Sequence, residues 1–329
     1  AAADKRNNIP AWNLLARKAY YPAPTPSSFY TGNPTPMDYT GGTLGLLEDY
    51  YAWEWGDALF VVLDPFWNTV ANPNQANDAW LWTLGKVQYD WLKKTLENSS
   101  ARYKFLFMHH LVGGTPTLAD GVTVNVSARG GIEVADKYEW GGKNRDGTDG
   151  FAARRPGWAM PIHQLLVANH VSAVFHGHDH LYAYQTLDGI VYLECPQPGT
   201  FNYTNYGSAP DGKYTQGVLI QNSGHIRVSV TPSGAKSDYV RAYRPQDINA
   251  QGSHAMEIPE ILNSSEDKEV RAILSGRQVE TVGEVISKSD LDATTGRIRI
   301  ARAQMQCCAA HARACAIEVT LSGNRPELK

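Results

Sequence analysis

The sequence predicts an α/β domain followed by a small, mostly β domain, and three observations carry the prediction. Ala58-Leu59-Phe60-Val61-Val62-Leu63 and Tyr103-Lys104-Phe105-Leu106-Phe107-Met108 are continuous apolar runs, the pattern of parallel strands covered on both faces. A helical stripe lies between them, and a second, short helix leads into a third apolar run, Val171-Ser172-Ala173-Val174-Phe175. Beyond residue 255 the pattern turns mainly to alternating strands.

Taken in order, residues 7–45 are rich in Pro, Gly, Tyr, Ser and Thr. They read as a long ordered surface loop, because proline removes backbone donors and fixes φ. Thr83 is placed to cap a helix over residues 84–97, whose Leu84, Val87, Gln88, Trp91, Leu92 and Leu96 form a mainly apolar stripe. Residues 113–158 carry turn-rich stretches such as Arg129-Gly130-Gly131 and Trp140-Gly141-Gly142, and a connection of that length is expected to wall or cover a site. Pro161 opens a short helix through Val167. From Leu181 to about Arg244, Gly189 and Asn222-Ser223-Gly224 punctuate alternating runs, which predicts antiparallel hairpins in a second layer. The domains are therefore 1–244, a polar linker at 245–255, and a β-rich domain of marginal size at 256–329.

Composition bounds the partners. The 329 residues carry a formal net charge of −3 with basic residues scattered, so no basic patch invites nucleic acid. No apolar run reaches the roughly 18 residues of a membrane helix. Residues 1–8 lack the apolar core of a signal peptide. Four cysteines, Cys195, Cys307, Cys308 and Cys315, are too few for a disulfide scaffold. A small molecule is the expected partner.

The chemistry gathers at two strand ends. Met108-His109-His110 and Phe175-His176-Gly177-His178-Asp179-His180 each place imidazoles just beyond an apolar run, where buried strands of α/β domains present their sites. In extended chain His178 and His180 share a face and can converge, and Gly177 allows close approach or positive φ. Histidines in such places also occur as hydrogen-bonded core or loop residues; the Gly-His-x-His spacing favours ligands.

These two motifs resemble the second half of calcineurin-like metallophosphoesterases, of which purple acid phosphatases are a branch. The resemblance extends over about residues 7–244, through Trp55-Gly56-Asp57, Leu84-Gly85-Lys86-Val87-Gln88, Arg129-Gly130-Gly131-Ile132-Glu133 and Gly142-Lys143-Asn144. It implies a β-sandwich flanked by helices and a phosphatase or phosphodiesterase acting on a small phosphoester with Zn, Fe or Mn. Carried over by position, His109 and His178 serve one metal and His180 reaches the other. His110 and His176 are then candidates to protonate the leaving group. The family's Asp-x-His, Gly-Asp and Gly-Asn-His motifs have no counterparts here: Gly56-Asp57 precedes an interior strand and Gly32-Asn33 is followed by Pro34. The resemblance thus implies a sandwich whose N-terminal half is missing, with apolar strand faces left for a second chain to cover. It also implies weak or no catalysis, and a bacterial periplasmic or secreted full-length form. The rival reading is a non-catalytic protein that uses the histidines or the tail to bind metal or a partner.

The tail has its own resemblance. Gly276-Arg277-Gln278-Val279-Glu280 together with Cys307-Cys308-Ala309-Ala310-His311-Ala312 is similar to a bacterial OB-like domain of unknown function that carries a Cys-Cys-x-x-Asp-Ala motif. With His311 in place of Asp and Cys315 added, Cys307, Cys308, His311 and Cys315 form a candidate soft-metal set. Inert thiols at a buried strand end are the plainer reading.

Overall fold

The computed structural model describes residues 9–39, 42–69, 73, 78–113, 116–119, 123–126, 129–199, 214–221, 223–242, 284–285, 291–292, 297–305 and 312–320. The chain divides into two compact units, one of residues 1–214 with 221–241 and the other of 215–220 with 242–329.

In the larger unit a helix α1 (Ile9–Tyr20) precedes three short strands, β1 (Thr31–Gly32), β2 (Pro36–Tyr39) and β3 (Gly42–Leu46). Then come β4 (Tyr51–Trp55), β5 (Ala58–Val62), α2 (Lys86–Asn98), β6 (Tyr103–Phe107), β7 (Pro116–Ala119) and β8 (Thr123–Val126). The unit continues with α3 (Tyr138–Gly141), α4 (Phe151–Arg154), α5 (Ile162–Ala168), β9 (Ala173–His176), β10 (Tyr182–Leu187) and β11 (Ile190–Glu194). After β12 (Val218–Ile220), which falls in the smaller unit, it ends with β13 (Gly224–Thr231) and β14 (Gly234–Arg241).

The main sheet of this unit runs β1-β4-β5-β6-β9-β11-β10. Its centre, β5-β6-β9-β11, is parallel, as the apolar runs predict, and the flanking pairs are antiparallel. The α/β class is therefore observed. Leu84, Tyr89, Leu92 and Leu96 of the α2 region and Ile162, Leu165 and Leu166 of α5 cover one face, packing on Val61, Leu106, Val174 and Tyr192. The other face carries an aromatic ladder: Trp53 stacks on Phe60 with ring centroids 4.9 Å apart, and Phe107 on Phe175 at 4.8 Å. The β13–β14 hairpin lies over the Phe175 end of that face and, with Tyr103, Phe105, Tyr184 and Leu193, lines a half-open cleft of about 670 Å³.

Three local expectations need correction. Residues 9–20 are helical, not loop. The prolines that dominate residues 7–45 begin at Pro22, whereas the helix holds only Pro10, at its second position, where a missing N–H costs nothing. Arg17 and Lys18 then tie the helix to the Leu47 and Leu46 carbonyls at 2.9 and 2.6 Å. The second helix starts at Lys86 behind Gly85 at φ 76°, without a side-chain cap. The Thr83 hydroxyl is instead given to Glu139 Oε2 at 2.5 Å. Finally, β13 pairs with β14 across Pro232-Ser233, so the hairpin turn is not Asn222-Ser223-Gly224. The Asp188-Gly189 turn between β10 and β11 is as expected, with φ of 49° and 81°, the left-handed pair of a two-residue hairpin.

In the smaller unit β17 (Arg297–Met305) pairs antiparallel with β15 (Glu284–Val285), β16 (Leu291–Asp292) and β18 (Ala312–Thr320). Residues 258–274, where apolar residues alternate with acidic and basic ones as in a short helix, lie outside the described residues. No helix among the described residues is long and apolar enough to cross a membrane.

Candidate metal centre

Because β6 and β9 are neighbours and parallel, their carboxyl ends open on the same edge of the sheet. The ladder runs on beyond both strands. Met108 N donates to Phe175 O at 3.0 Å and Gly177 N to His109 O at 2.8 Å, so the two histidine segments are tied to each other. His109 Nε2 then faces His178 Nδ1 at 3.0 Å. The ring of His110 lies 5.5 Å from that of His109 and 5.8 Å from that of His178, centroid to centroid. His180 is exposed, and near enough that its charge opposes protonation of His109.

The extended-chain alternation expected beyond β9 does not occur. The strand ends at His176, and His178 and His180 both take positive φ, 89° and 56°. Gly177 uses no such freedom, and a Cβ there would meet His109 O at an ordinary 3.5 Å. Backbone strain is thus carried by two histidines and must be held by their surroundings, an arrangement concentrated at functional sites.

What holds it is a buried network centred on Asp179 and Glu194, 1% and 0% exposed. Glu194 is in register with His176 across the β9–β11 pair. Its Oε2 meets His176 Nδ1 at 2.7 Å and its Oε1 accepts Asp179 N at 2.9 Å. The Asp179 carboxylate accepts Arg129 Nη1 at 2.9 Å and Gly130 N at 2.8 Å, and the Tyr214 hydroxyl reaches Asp179 at 3.0 Å and Glu194 at 3.3 Å. Arg129-Gly130-Gly131 from the long connection is thereby locked onto the histidine loop. Gly131 is required there, since a Cβ would fall 1.9 Å from Gln185 Oε1. Burial pushes the Glu194 carboxyl up, while His176 and the Asp179 N–H pull it back. Sequence reading missed Glu194, Tyr214 and Gln185. The signal for Glu194 was a lone charge ending the apolar run Ile190-Val191-Tyr192-Leu193.

Burial favours the neutral form of His109, His110 and His178, the form that ligates a metal. His178 is held down at about 4 by desolvation, then by His109 and Arg129. Desolvation also lowers His109, and it takes His110 well below the ordinary value. His110 and His176 are each 2% exposed. Both ring nitrogens of His110, and Nε2 of His176, are buried without a hydrogen-bond partner. Such orphaned groups call for an explanation, an ion or water among them.

The pair His109 and His178 fits a borderline cation. The two nitrogens are hydrogen-bonded to each other at 3.0 Å, and Zn–N bonds of about 2.0–2.1 Å at tetrahedral angles would set them roughly 3.3 Å apart, so a cation would take the place of that hydrogen bond. Among the described residues no group of three or more His, Cys, Asp or Glu side chains is placed so that together they could hold a metal ion. Of the tail set, Cys307, Cys308 and His311 lie outside the described residues, and Cys315 sits on β18 in register with Arg302.

No protein-family model and no curated protein matches the chain. Solved structures similar to it include PhoD, at 16% identity and a TM-score of 0.42 over 70% of this chain and 42% of that one. Also similar are GAP50, the anchor in the inner membrane complex of Plasmodium (12%, TM-score 0.31, 65% and 49%), and the purple acid phosphatase PPD1 of yellow lupin seeds (11%, 0.31, 59% and 31%). The chain spans less than half the length of each. At such values the function has to be read from the side chains themselves.

Proposed function

We infer that the chain belongs to a lineage of metal-dependent phosphoester hydrolases and that His109 and His178 grip its cation. The observation that carries the reading is the pair of facing imidazole nitrogens, 3.0 Å apart, delivered by two adjacent parallel strands. A divalent cation held there supplies Lewis-acid chemistry and acidifies water. The protein's own part is positional. Asp179 and Glu194 fix the strained loop that aims His178, and Arg129 bridges that loop to the long connection. His180, exposed beside His109, remains the candidate toward a second cation. His110 and His176 are buried too deeply to meet a leaving group from bulk solvent, so a proton from either would have to be passed inside a closed site. Both Asp179 oxygens are engaged, so this carboxylate is not free to bridge two metals. Slow turnover follows from that.

The test is hydrolysis of bis(p-nitrophenyl) phosphate and p-nitrophenyl phosphate with added Zn²⁺, Mn²⁺ or Fe²⁺. The expected result is weak turnover that needs the metal and disappears in His178→Ala. Metal bound with no turnover above buffer would leave a metal-binding protein and overturn the enzymatic reading.

A further inference from the structure

We propose that the cleft between the main sheet and the β13–β14 hairpin is a binding site for a neutral, apolar small molecule built on a flat ring. The site reaches the amino ends of β6 and β9 at Tyr103 and Ala173, whereas the histidines follow the carboxyl ends of the same two strands. It is therefore independent of the metal chemistry read there.

Strand register explains why the cleft exists. Phe105, Ala173 and Val191 are cross-strand neighbours on β6, β9 and β11, and the next row on the same face is Phe107, Phe175 and Leu193, with Tyr184 beyond on β10. Ala173 makes the first row low between Phe105 and Val191. The hairpin above it is small-sided too, since Ala235 and Ser237 of β14 line the cleft. Two packed β layers sit about 10 Å apart and fill the gap with side chains from both, which alanine and serine do not supply. The hairpin is also pinned at both ends. Tyr239 stacks on Tyr182 with ring centroids 4.5 Å apart, and Arg102 Nη1 donates to Pro232 O at the turn. What stays open is a volume of about 670 Å³, inside the roughly 300–1,000 Å³ of small-molecule sites.

The walls name the class of ligand. Phe105, Phe175 and Tyr184 offer rings, and Leu193 and Val228 offer aliphatic surface. Tyr184 and Val228 are each 37% exposed, so apolar surface on both layers still meets water. The two charged side chains of the lining, among the described residues, already have partners. Asp188 Oδ2 meets His163 Nε2 at 2.9 Å, and Lys236 Nζ pairs at 2.9 Å with Asp238, which also holds Arg227 at 3.1 Å. An ionic ligand would shed its water against walls whose charges are engaged, at a net cost. A neutral apolar one gains by leaving water, and a flat ring can lie against the aromatic faces.

Fluorescence titration of the full chain with N-phenyl-1-naphthylamine, an uncharged probe that brightens away from water, tests the assignment. The expected result is saturable binding of one probe per chain. Binding should weaken roughly 10-fold or more in Ala235→Trp and Ser237→Phe, which fill the gap from the hairpin side, and stay within about twofold of wild type in Trp55→Ser. Trp55 is the control because its ring, on β4, is 72% exposed and could adsorb an apolar probe. In the wild-type chain the bound probe should give nuclear Overhauser contacts to the Phe105 and Tyr184 rings. Absence of saturable binding, wild-type affinity in both filled variants, or a loss confined to Trp55→Ser would overturn the site. If neither filled variant folds, the contacts in the wild type decide: their presence on Phe105 and Tyr184 upholds the site and their absence overturns it.

Discussion

Glu139 and Glu194 are both fully buried carboxylates, yet the groups that satisfy them serve different ends. Glu139 on α3 takes the Thr83 hydroxyl, Leu84 N at 2.8 Å and the Arg155 guanidinium, so it staples the long connection to the entrance of α2. Every group in that cluster is protein scaffold. Glu194 on β11 holds His176 and Asp179, and its network stops at the unpartnered His176 Nε2 beside the histidine site. One carboxylate closes a structure and the other supports an unfinished site. Replacing members of each should therefore separate stability from metal binding.

The largest effect belongs to Glu139→Ala. It removes the counter-charge of the Arg155 guanidinium, whose side chain is 12% exposed and which keeps the Trp80 and Arg154 carbonyls, and leaves Leu84 N without an acceptor. Removing one partner of a buried pair costs about 3–5 kcal/mol. A matching fall in the urea midpoint, with Co²⁺ affinity unchanged where the variant is folded, is the expected result. A large loss of affinity would erase the distinction between the two networks.

Asp179→Asn and Glu194→Gln come next and should act in the opposite proportion. Each keeps its shape but loses charge-assisted hydrogen bonds, at roughly 1–3 kcal/mol of stability. Metal affinity should fall about 10–100-fold, as it does when groups that orient ligands are altered. Isothermal titration with Co²⁺ measures it. Affinity within about twofold of wild type would show that the strained φ of His178 is held by something else.

The same contrast explains what the sequence could disclose. The convergence of His109 and His178 was legible because apolar runs mark β6 and β9 as buried parallel strands, and such strands present their residues at one edge. The support of that site was not, because Glu194 meets His176 only through the register of β9 on β11, which no local pattern specifies. Composition also misled. Prolines clustered from Pro22 onward hid the amphipathic residues 9–20, and polar Lys236, Ser237 and Asp238 hid β14, one edge of a hairpin half open to solvent. The positive φ expected of Gly177 falls on its histidine neighbours, a choice made by the Asp179 network rather than by glycine.

A pH series sharpens the comparison further. The folded chain holds His178 at about 4 against an ordinary 6.5, and His110 lower than ordinary too. Protons therefore bind the unfolded chain first as pH falls through 6.5, so this contribution to stability is complete above that value and is lost toward pH 4. Glu139 and Glu194, raised by burial, act in the reverse sense: theirs is present at low pH and is lost as pH rises from 4.5 through their folded values. For the metal-free chain the urea midpoint should drop between about pH 7 and pH 5, and His178→Asn should flatten the drop. An unchanged slope in that variant would place the proton uptake elsewhere.

The smallest effects come from a matched pair of hydroxyls. Tyr214 gives one proton to two carboxylates, at 3.0 Å to Asp179 and 3.3 Å to Glu194, and each of these oxygens keeps a second partner, Gly130 N and His176. Thr83 likewise gives its proton to a Glu139 oxygen that Arg155 also holds. Tyr214→Phe and Thr83→Val should each cost about 1 kcal/mol of stability, the usual net worth of such a bond. Only Tyr214→Phe should also weaken Co²⁺ binding, by a few-fold, because only its carboxylates reach the strained histidine loop. Equal affinity in the two variants would mean that the loop is held by Arg129 and the Asp179 N–H alone, with Tyr214 serving the core and not the site.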